Sequence, residues 1–271
     1  MNLHEKKVAV VGFGTMGQAL VGALLKDEAV KAANIVATVA HKESAERLDE
    51  STGVRVGTDN EEAVRGAELV LLCAKPKVTR RILAELKAAG ALAHAPLLVS
   101  IAAGVSTGEL EELAGEELAV VRAMPNTPCL VGEGMIVLSA GTHAGDSDLD
   151  AAEALLGPLG RVLRLDEEHM DAVTGLSASG PAFIYVIIEA LSEGGVMVGL
   201  PRDVATELTT QTVVGAARMV QETGRHPAAL KDDVTTPAGC TISALLALED
   251  GRLRSVLARG VQEAARAASE L

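Results

Sequence analysis

The sequence predicts an α/β protein: a doubly wound, mostly parallel sheet flanked by helices, followed by an all-helical region. Three observations carry that expectation. Between residue 6 and about residue 165, short β-rich runs alternate with helical patterns; those runs are apolar at nearly every position instead of every second one; and after Asp166 the β signal stops. A strand covered by helices on both faces needs apolar side chains on both, whereas a half-exposed strand alternates. The division near residue 165 gives a first domain over 1–165 and a second over 166–271, each long enough to bury a core.

In chain order the strand candidates are KVAVVG, NIVATVA, LVLLCA, LLVSIA, LAVVRA, MIVLSA and RVLRL. The first runs into GFGTMG (12–17) and then into the Ala/Leu-rich QALVGALL. In that strand–turn–helix setting Gly12 permits a tight turn, Gly14 lets the backbone approach a pyrophosphate, and Gly17 lets the helix pack closely on the strand; Phe13, Thr15 and Met16 complete the loop. The alternative is a glycine-rich turn that binds nothing, but its place at the first strand of a doubly wound domain favours a dinucleotide site. The second strand ends in AHKES (40–44), where a free ribose 2′-hydroxyl is usually met by Asp or Glu. Here His41 and Lys42 precede the first acid, Glu43, and Lys42 and Ser44 can both donate to a 2′-phosphate. NADPH is therefore the expected cofactor, with NADH as the alternative. The third run leads into Lys75 and Pro76 at the carboxyl end of a strand, where ligands of open sheets gather, although an exposed loop lysine needs no ligand to explain it.

Beyond residue 166 helical spacing is broken by Gly and Pro at GLP (199–201), RHP (225–227), TTPAG (235–239) and DG (250–251). The stretches PAFIYVIIEALSEGGVMVGL and VATELTTQTVVGAARMVQ are apolar around most of the helical circumference, as in helices buried on all sides. A domain of about a hundred residues cannot surround two such helices alone, so a second subunit is expected to cover them. Between helical stretches lies DDVTTPAGCT (232–241). One explanation is a helix start with Thr236 as N-cap and Pro237 as first helical residue. The other is an anion site, since a helix N-terminus with little side-chain bulk in front of it can hold a carboxylate or phosphate.

Composition excludes several classes. A formal charge of −13 opposes nucleic acid or anionic membrane as partner, and with no Trp, one Tyr and two Phe there is no stacking platform for bases. Cys73, Cys129 and Cys240 are widely spaced with no CxxC pair, which argues against a disulfide scaffold or thiolate metal site; no metal is expected. The first residues have no basic-then-apolar leader, and uncharged apolar stretches such as LLVSIAAGV and AFIYVII fall short of the ~20 residues of a membrane span. A cytoplasmic protein is expected.

Several motifs taken together resemble the pyrroline-5-carboxylate reductase family over essentially the whole chain: VGFGTMG, CAKP, SIAAGV (100–105), RAMPNTP (122–128), VTGLSASGPAF (173–183), EGGVMVGLPR (193–202) and LKDDVTTPAGCTI (230–242), in that family's order. The resemblance implies a Rossmann-like first domain, a helical domain that dimerises by interlocking, with rings of dimers in some members, and reduction of the cyclic imine L-1-pyrroline-5-carboxylate to L-proline with NAD(P)H. It implies that Ala74, Lys75, Pro76, Ala102 and Asn126 border the cofactor, Asn126 at the nicotinamide, although a turn residue before Pro128 explains Asn126 as well. It implies that backbone N–H groups from Thr236 to Thr241, including those of Gly239 and Cys240, hold the substrate carboxylate, with the Thr241 hydroxyl nearest the imine nitrogen. Ser179, Gly180 and Pro181 match a segment lining the substrate region, with Ser179 as a second catalytic candidate; helix capping accounts for Ser179 equally. Reducing C=N needs a hydride donor, an oriented imine and a proton, so the lack of a nucleophile constellation fits. Ala238 and Cys240 depart from the pattern, which has a second glycine and Thr or Ala there. The alternatives are another NADP-dependent imine or β-hydroxyacid dehydrogenase, weakened because the helical region holds one lysine, Lys231, and a non-catalytic NADP-binding sensor.

Overall fold

The computed structural model describes residues 3–270. The chain forms two compact units, one running to Ala178 and including the residues from Ala264 onward, the other Ser179–Glu263.

The first unit is built on an eight-stranded sheet: β1 (Val8–Val11), β2 (Ile35–Thr38), β3 (Arg55–Gly57), β4 (Leu69–Leu72), β5 (Leu97–Ser100), β6 (Val120–Met124), β7 (Gly134–Ala140) and β8 (Gly160–Arg164), in the spatial order 3-2-1-4-5-6-7-8. All pairings are parallel except β6 with β7. Six helices accompany them: α1 (Thr15–Lys26), α2 (Lys42–Thr52), α3 (Asn60–Val64), α4 (Pro76–Ala88), α5 (Thr107–Ala114) and α6 (Asp146–Leu156). Their packing explains the unbroken apolar runs. Val8 and Val10 of β1 and Leu69 and Leu71 of β4 face one core, shared with Leu20 and Leu24 of α1 and Leu155 of α6. Ala9, Val11, Val70 and Leu72 face the other, shared with Ile82, Leu83 and Leu86 of α4 and Leu110 of α5. With both faces covered, each fully buried Leu or Ile contributes about 1.5–3 kcal/mol, and a polar residue at either parity would lose that.

Two features differ from expectation. The sheet has eight strands where the sequence suggests seven; the additional one, β3, is a three-residue edge strand whose only buried member is Val56. Too short to form an apolar run, it is made by pairing with β2. The helical stretch beyond residue 166 is also longer than its uncharged run AFIYVII suggests. A 3₁₀ turn (Glu167–His169), α7 (Met170–Val173), a π-helical turn (Thr174–Ala178) and α8 (Gly180–Met197) follow with only Ser179 between the last two, and the 31 residues from Glu167 to Met197 have a stretch of mean hydropathy 1.4, enough by length and composition to cross a membrane.

In the second unit α8 packs against α9 (Arg202–Thr223), followed by α10 (Pro227–Asp233), α11 (Cys240–Asp250) and α12 (Leu253–Ala268), whose last turn belongs to the first unit. The two long helices approach closely where Gly195 meets Ala205: a Cβ on Gly195 would lie 2.9 Å from that of Ala205. Among the described residues of this unit only Ser192 and Ala205 are buried, while Tyr185, Val186, Met197 and Leu208 are more than half exposed. A set of helices with this much uncovered apolar surface has the composition of half an interface.

Candidate active site

Six strands, β1 to β6, run parallel and point their carboxyl ends the same way, so the segments after β1, β2, β4, β5 and β6 gather along one edge of the sheet. The strand order reverses at β1, with β2 on one side and β4 on the other, and a crevice opens at such a point in open α/β sheets. The glycine loop lies there. Gly12 has φ +93°, and a Cβ on it would sit 3.0 Å from the backbone of Cys73 and Ala74, so the turn and its approach to the β4 segment both require glycine. Gly17 is as constrained, 3.1 Å from the Gly12 carbonyl and 3.3 Å from Val10, which seats α1 on β1. Gly14, the N-cap of α1, is different: a Cβ there would meet no atom within 4 Å. The space in front of it, at a helix N-terminus whose first N–H groups have no intrahelical acceptor, suits a pyrophosphate. Thr15 and Met16 start that helix; Thr15 is exposed and Met16 half-buried. Phe13 is turned into the core, donates its N–H to the Thr38 carbonyl at 2.7 Å and accepts from Gln18 Nε2 at 3.0 Å, so it shapes the loop from behind.

At the end of β2, His41 is the N-cap of α2 and Lys42 its first residue, 86% exposed, with Glu46 as a 4.0 Å partner; Ser44 is half-buried in the same turn. The residues 40–44 thus present a helix N-terminus and an ammonium. Asn60 was not singled out from the sequence, yet the structure brings it to this place, its Oδ1 accepting from Thr38 Oγ1 at 2.7 Å. The only local signal was the cap formed by Asp59, which accepts from the Glu62 N–H. After β4, Ala74 accepts from Thr79 Oγ1, Lys75 is an exposed N-cap and Pro76 opens α4 at the first helical position. After β5, Ala102 is buried with its N–H on Ser100 Oγ, and Gly104, at φ +68°, offers its carbonyl to Arg80. After β6, Asn126 caps no helix with its side chain. Its Oδ1 accepts from the Met135 N–H at 2.9 Å and its Nδ2 donates to the Ser177 carbonyl at 3.2 Å, tying the β6 and β7 ends to the π-turn.

In the second unit the loop before α11 does not start a helix at Pro237. Thr236, Pro237, Ala238 and Gly239 form a turn closed by the Gly239 N–H on the Thr236 carbonyl at 3.0 Å, with Ala238 at φ +57°. A left-handed residue cannot lie within an α-helix, so α11 begins at Cys240 with Gly239 as N-cap, which corrects the expectation that Thr236 caps it. No side chain caps this N-terminus. Its first two residues are Cys240, exposed, and Thr241, half-buried; Gly239 is itself tight, since a Cβ there would lie 2.4 Å from Thr236 Oγ1. Ser179 likewise caps nothing: it has helical φ and ψ, makes no side-chain cap bond, and lies where the π-turn passes into α8, ahead of Gly180 and Pro181. Capping therefore does not account for Ser179.

Residues 167–271 match a family model described as pyrroline-5-carboxylate reductase dimerisation, and residues 7–104 one described as NADP oxidoreductase, coenzyme F420-dependent. A pyrroline-5-carboxylate reductase of Arabidopsis thaliana is 42% identical over 266 residues, covering 98% of this chain and 95% of that protein. The chain belongs to the pyrroline-5-carboxylate reductase family. Solved reductases agree with it in fold: that of Coxiella burnetii superposes with a TM-score of 0.91 at 33% identity, and that of Plasmodium falciparum, with NADP bound, at 0.87 and 30%, each covering 98% of both chains. Ala238 occupies a left-handed position that glycine adopts without strain. No group of three or more His, Cys, Asp and Glu side chains able to hold a metal occurs among the described residues.

Proposed function

We propose that this protein reduces L-1-pyrroline-5-carboxylate to L-proline with NADPH, the last step of proline biosynthesis. The observation that carries the proposal is the full-length relationship to pyrroline-5-carboxylate reductases, 42% identical over 98% of the chain, combined with a glycine loop open in front of Gly14 at the strand-order reversal. Bound NADPH supplies the hydride. The first turn of α1 with Gly12, Gly14, Thr15, Met16 and Gly17 would receive its pyrophosphate; His41, Lys42 and Ser44 its ribose phosphate; and Ala74, Lys75, Pro76, Ala102 and Asn126 would border the half that carries the nicotinamide.

The uncapped start of α11 supports a carboxylate site at Thr236, Gly239, Cys240 and Thr241: unpaired N–H donors and the positive end of the helix dipole favour an anion there. With the carboxylate fixed, the imine ring has few orientations left, and positioning supplies most of the acceleration. The imine carbon gains the hydride and its electron pair; the nitrogen gains a proton, leaving a secondary amine. The Thr241 hydroxyl is the donor or orienting group nearest that nitrogen in our assignment, and Ser179, Gly180 and Pro181 complete the lining. Division of labour follows domains 1–165 and 166–271, the first for cofactor and the second for substrate and assembly. The exposed apolar faces of α8 and α9 support a homodimer, in the cytoplasm, from which larger rings can be built.

The test is NADPH oxidation by purified protein with and without pyrroline-5-carboxylate, with proline quantified. Proline formed in step with NADPH consumed is expected; NADPH binding without proline would leave a cofactor-binding sensor as the function. A monomeric mass by sedimentation with full activity would refute the dimer.

A further inference from the structure

Where the helical segment leaves the sheet, one carboxylate holds three elements. Glu167 accepts the Thr107 N–H at 2.8 Å, the Thr107 hydroxyl at 2.5 Å and Arg122 Nη1 at 3.0 Å. The Arg122 side chain is only 6% exposed, in the middle of β6, and Thr107 is the first residue of α5, directly after the Ile101–Ser106 segment that carries Ala102. Three residues beyond Glu167, Met170 is 1% exposed and packs on Met124 and Val137, with Ala103 against the same cluster. Further along, the π-turn is fixed by Asn126 through the Ser177 carbonyl and by the end of α12, whose backbone at Ala265 would lie 2.6 Å from a Cβ on Gly175. The segment after β5 is also gripped from the other side: Arg80 pairs with Glu109 at 2.6 Å and donates to the Gly104 carbonyl at 3.3 Å.

This arrangement is poorly suited to stability alone. Arg122 is buried and Glu167 half-buried, and an ion pair withdrawn from water in this way is often matched or bettered by apolar residues of similar size, because desolvating the charges offsets their attraction. Here the balance is poorer still: the buried side-chain polar atoms without a hydrogen-bond partner among the described residues are Arg122 Nε, in the pair itself, and Ser177 Oγ, in the π-turn. What these contacts do achieve is geometric. The adenosine half of a dinucleotide lies at the β2 end, so the half carrying the nicotinamide crosses β1 toward β4, β5 and β6. Glu167 ties the start of α5, just after the β5 end, to the middle of β6.

We propose that Glu167, through Arg122 and Thr107, is a positioning residue that sets the wall against which the nicotinamide rests, and so governs hydride transfer more than cofactor affinity. This rests on the reductase function above, and turnover by the unaltered protein is measured first, so failure of that function shows there and failure of positioning shows only in the variants. Two variants test it: Glu167→Gln, which keeps the shape and removes the charge, and the double variant Arg122→Met with Glu167→Leu, which replaces the pair by apolar side chains and is expected to fold. In both, kcat should fall about tenfold to a hundredfold, as displacements near 1 Å do, while KM for NADPH changes by less than about twofold. With NADPH deuterated at the transferred position, the isotope effect on kcat should rise in the variants, since slower hydride transfer limits turnover more completely. A double variant with kcat within about twofold of the unaltered protein, or a loss confined to KM for NADPH, overturns the proposal. Failure of both variants to fold also overturns it, because the pair would then be a stability element.

Discussion

Replacing Ala238 by glycine is the most direct test of the loop before α11. Ala238 sits at φ +57° as the third residue of a turn closed by Gly239 on Thr236. A left-handed conformation costs a residue with a Cβ about 1–2 kcal/mol, a cost glycine does not carry. Glycine also gains freedom in the unfolded chain, which offsets about 0.4–1 kcal/mol of the relief. The net expectation is a stabilisation of roughly 0.5–1 kcal/mol, or a rise in Tm of about 1–4 °C for a chain of this size. The kinetic effect should run the other way. A glycine leaves the loop freer before substrate arrives, so KM for pyrroline-5-carboxylate should rise about twofold to fivefold while KM for NADPH is unchanged. Ala95, at φ +53° between α4 and β5, supplies the control. Ala95→Gly should raise Tm similarly and leave every kinetic constant alone. Tm is read by calorimetry, and the kinetic constants by NADPH absorbance. A lower Tm for Ala238→Gly would show that alanine is not strained there. Equal kinetic changes in both variants would show that the loop does not touch substrate.

Thr241→Ala should lower kcat/KM for pyrroline-5-carboxylate about tenfold to a thousandfold with NADPH binding near normal, and unaltered kinetics would remove Thr241 from the mechanism. Lys42→Ala should reduce an NADPH preference of roughly tenfold over NADH, about 1.4 kcal/mol; a preference untouched by the change would place the 2′-phosphate elsewhere. Of the three cysteines, burial pushes the Cys73 thiol up to about 12 and also raises that of Cys129, whereas Cys240 is exposed, so alkylation of native protein should modify Cys240 first and abolish activity, and Cys240→Ala should be resistant. Burial pushes the Glu167 carboxyl up, but hydrogen bonds from Thr107 and Arg122 outweigh it and hold the group below its ordinary 4.5. Its contribution to stability is therefore present above about pH 4.5 and lost as pH falls through the lower folded value, and Glu167→Gln should remove that part of the acid dependence of Tm.

What the sequence discloses, and what it hides, follows from the range of the forces involved. The cofactor loop is legible because its constraints are local: Gly12 and Gly17 are excluded from other identities by atoms within a few residues or on the adjoining strand. The apolar strands are legible because each residue of β1 and β4 faces one or the other of two helical layers, and the pattern needs no knowledge of which helix. The start of α11 was misjudged because a proline after a threonine satisfies the local rule for a helix start, whereas the deciding fact is the left-handed residue after it, and alanine gives no sign of that conformation. β3 was missed because its apolar content is one residue and its existence depends on β2. Glu167 was hidden for the opposite reason. In the sequence it is one of three consecutive acids, DEE at 166–168, ahead of a helix, where acids are common for the dipole alone; only the fold carries it to Arg122, 45 positions earlier, and to Thr107, 60 positions earlier. A buried guanidinium must find its anion wherever the topology supplies one, so the identity of Arg122 in the middle of an apolar strand was itself the signal: a charge within a sheet covered on both faces demands a partner, and the nearest acids beyond the last strand are 166–168.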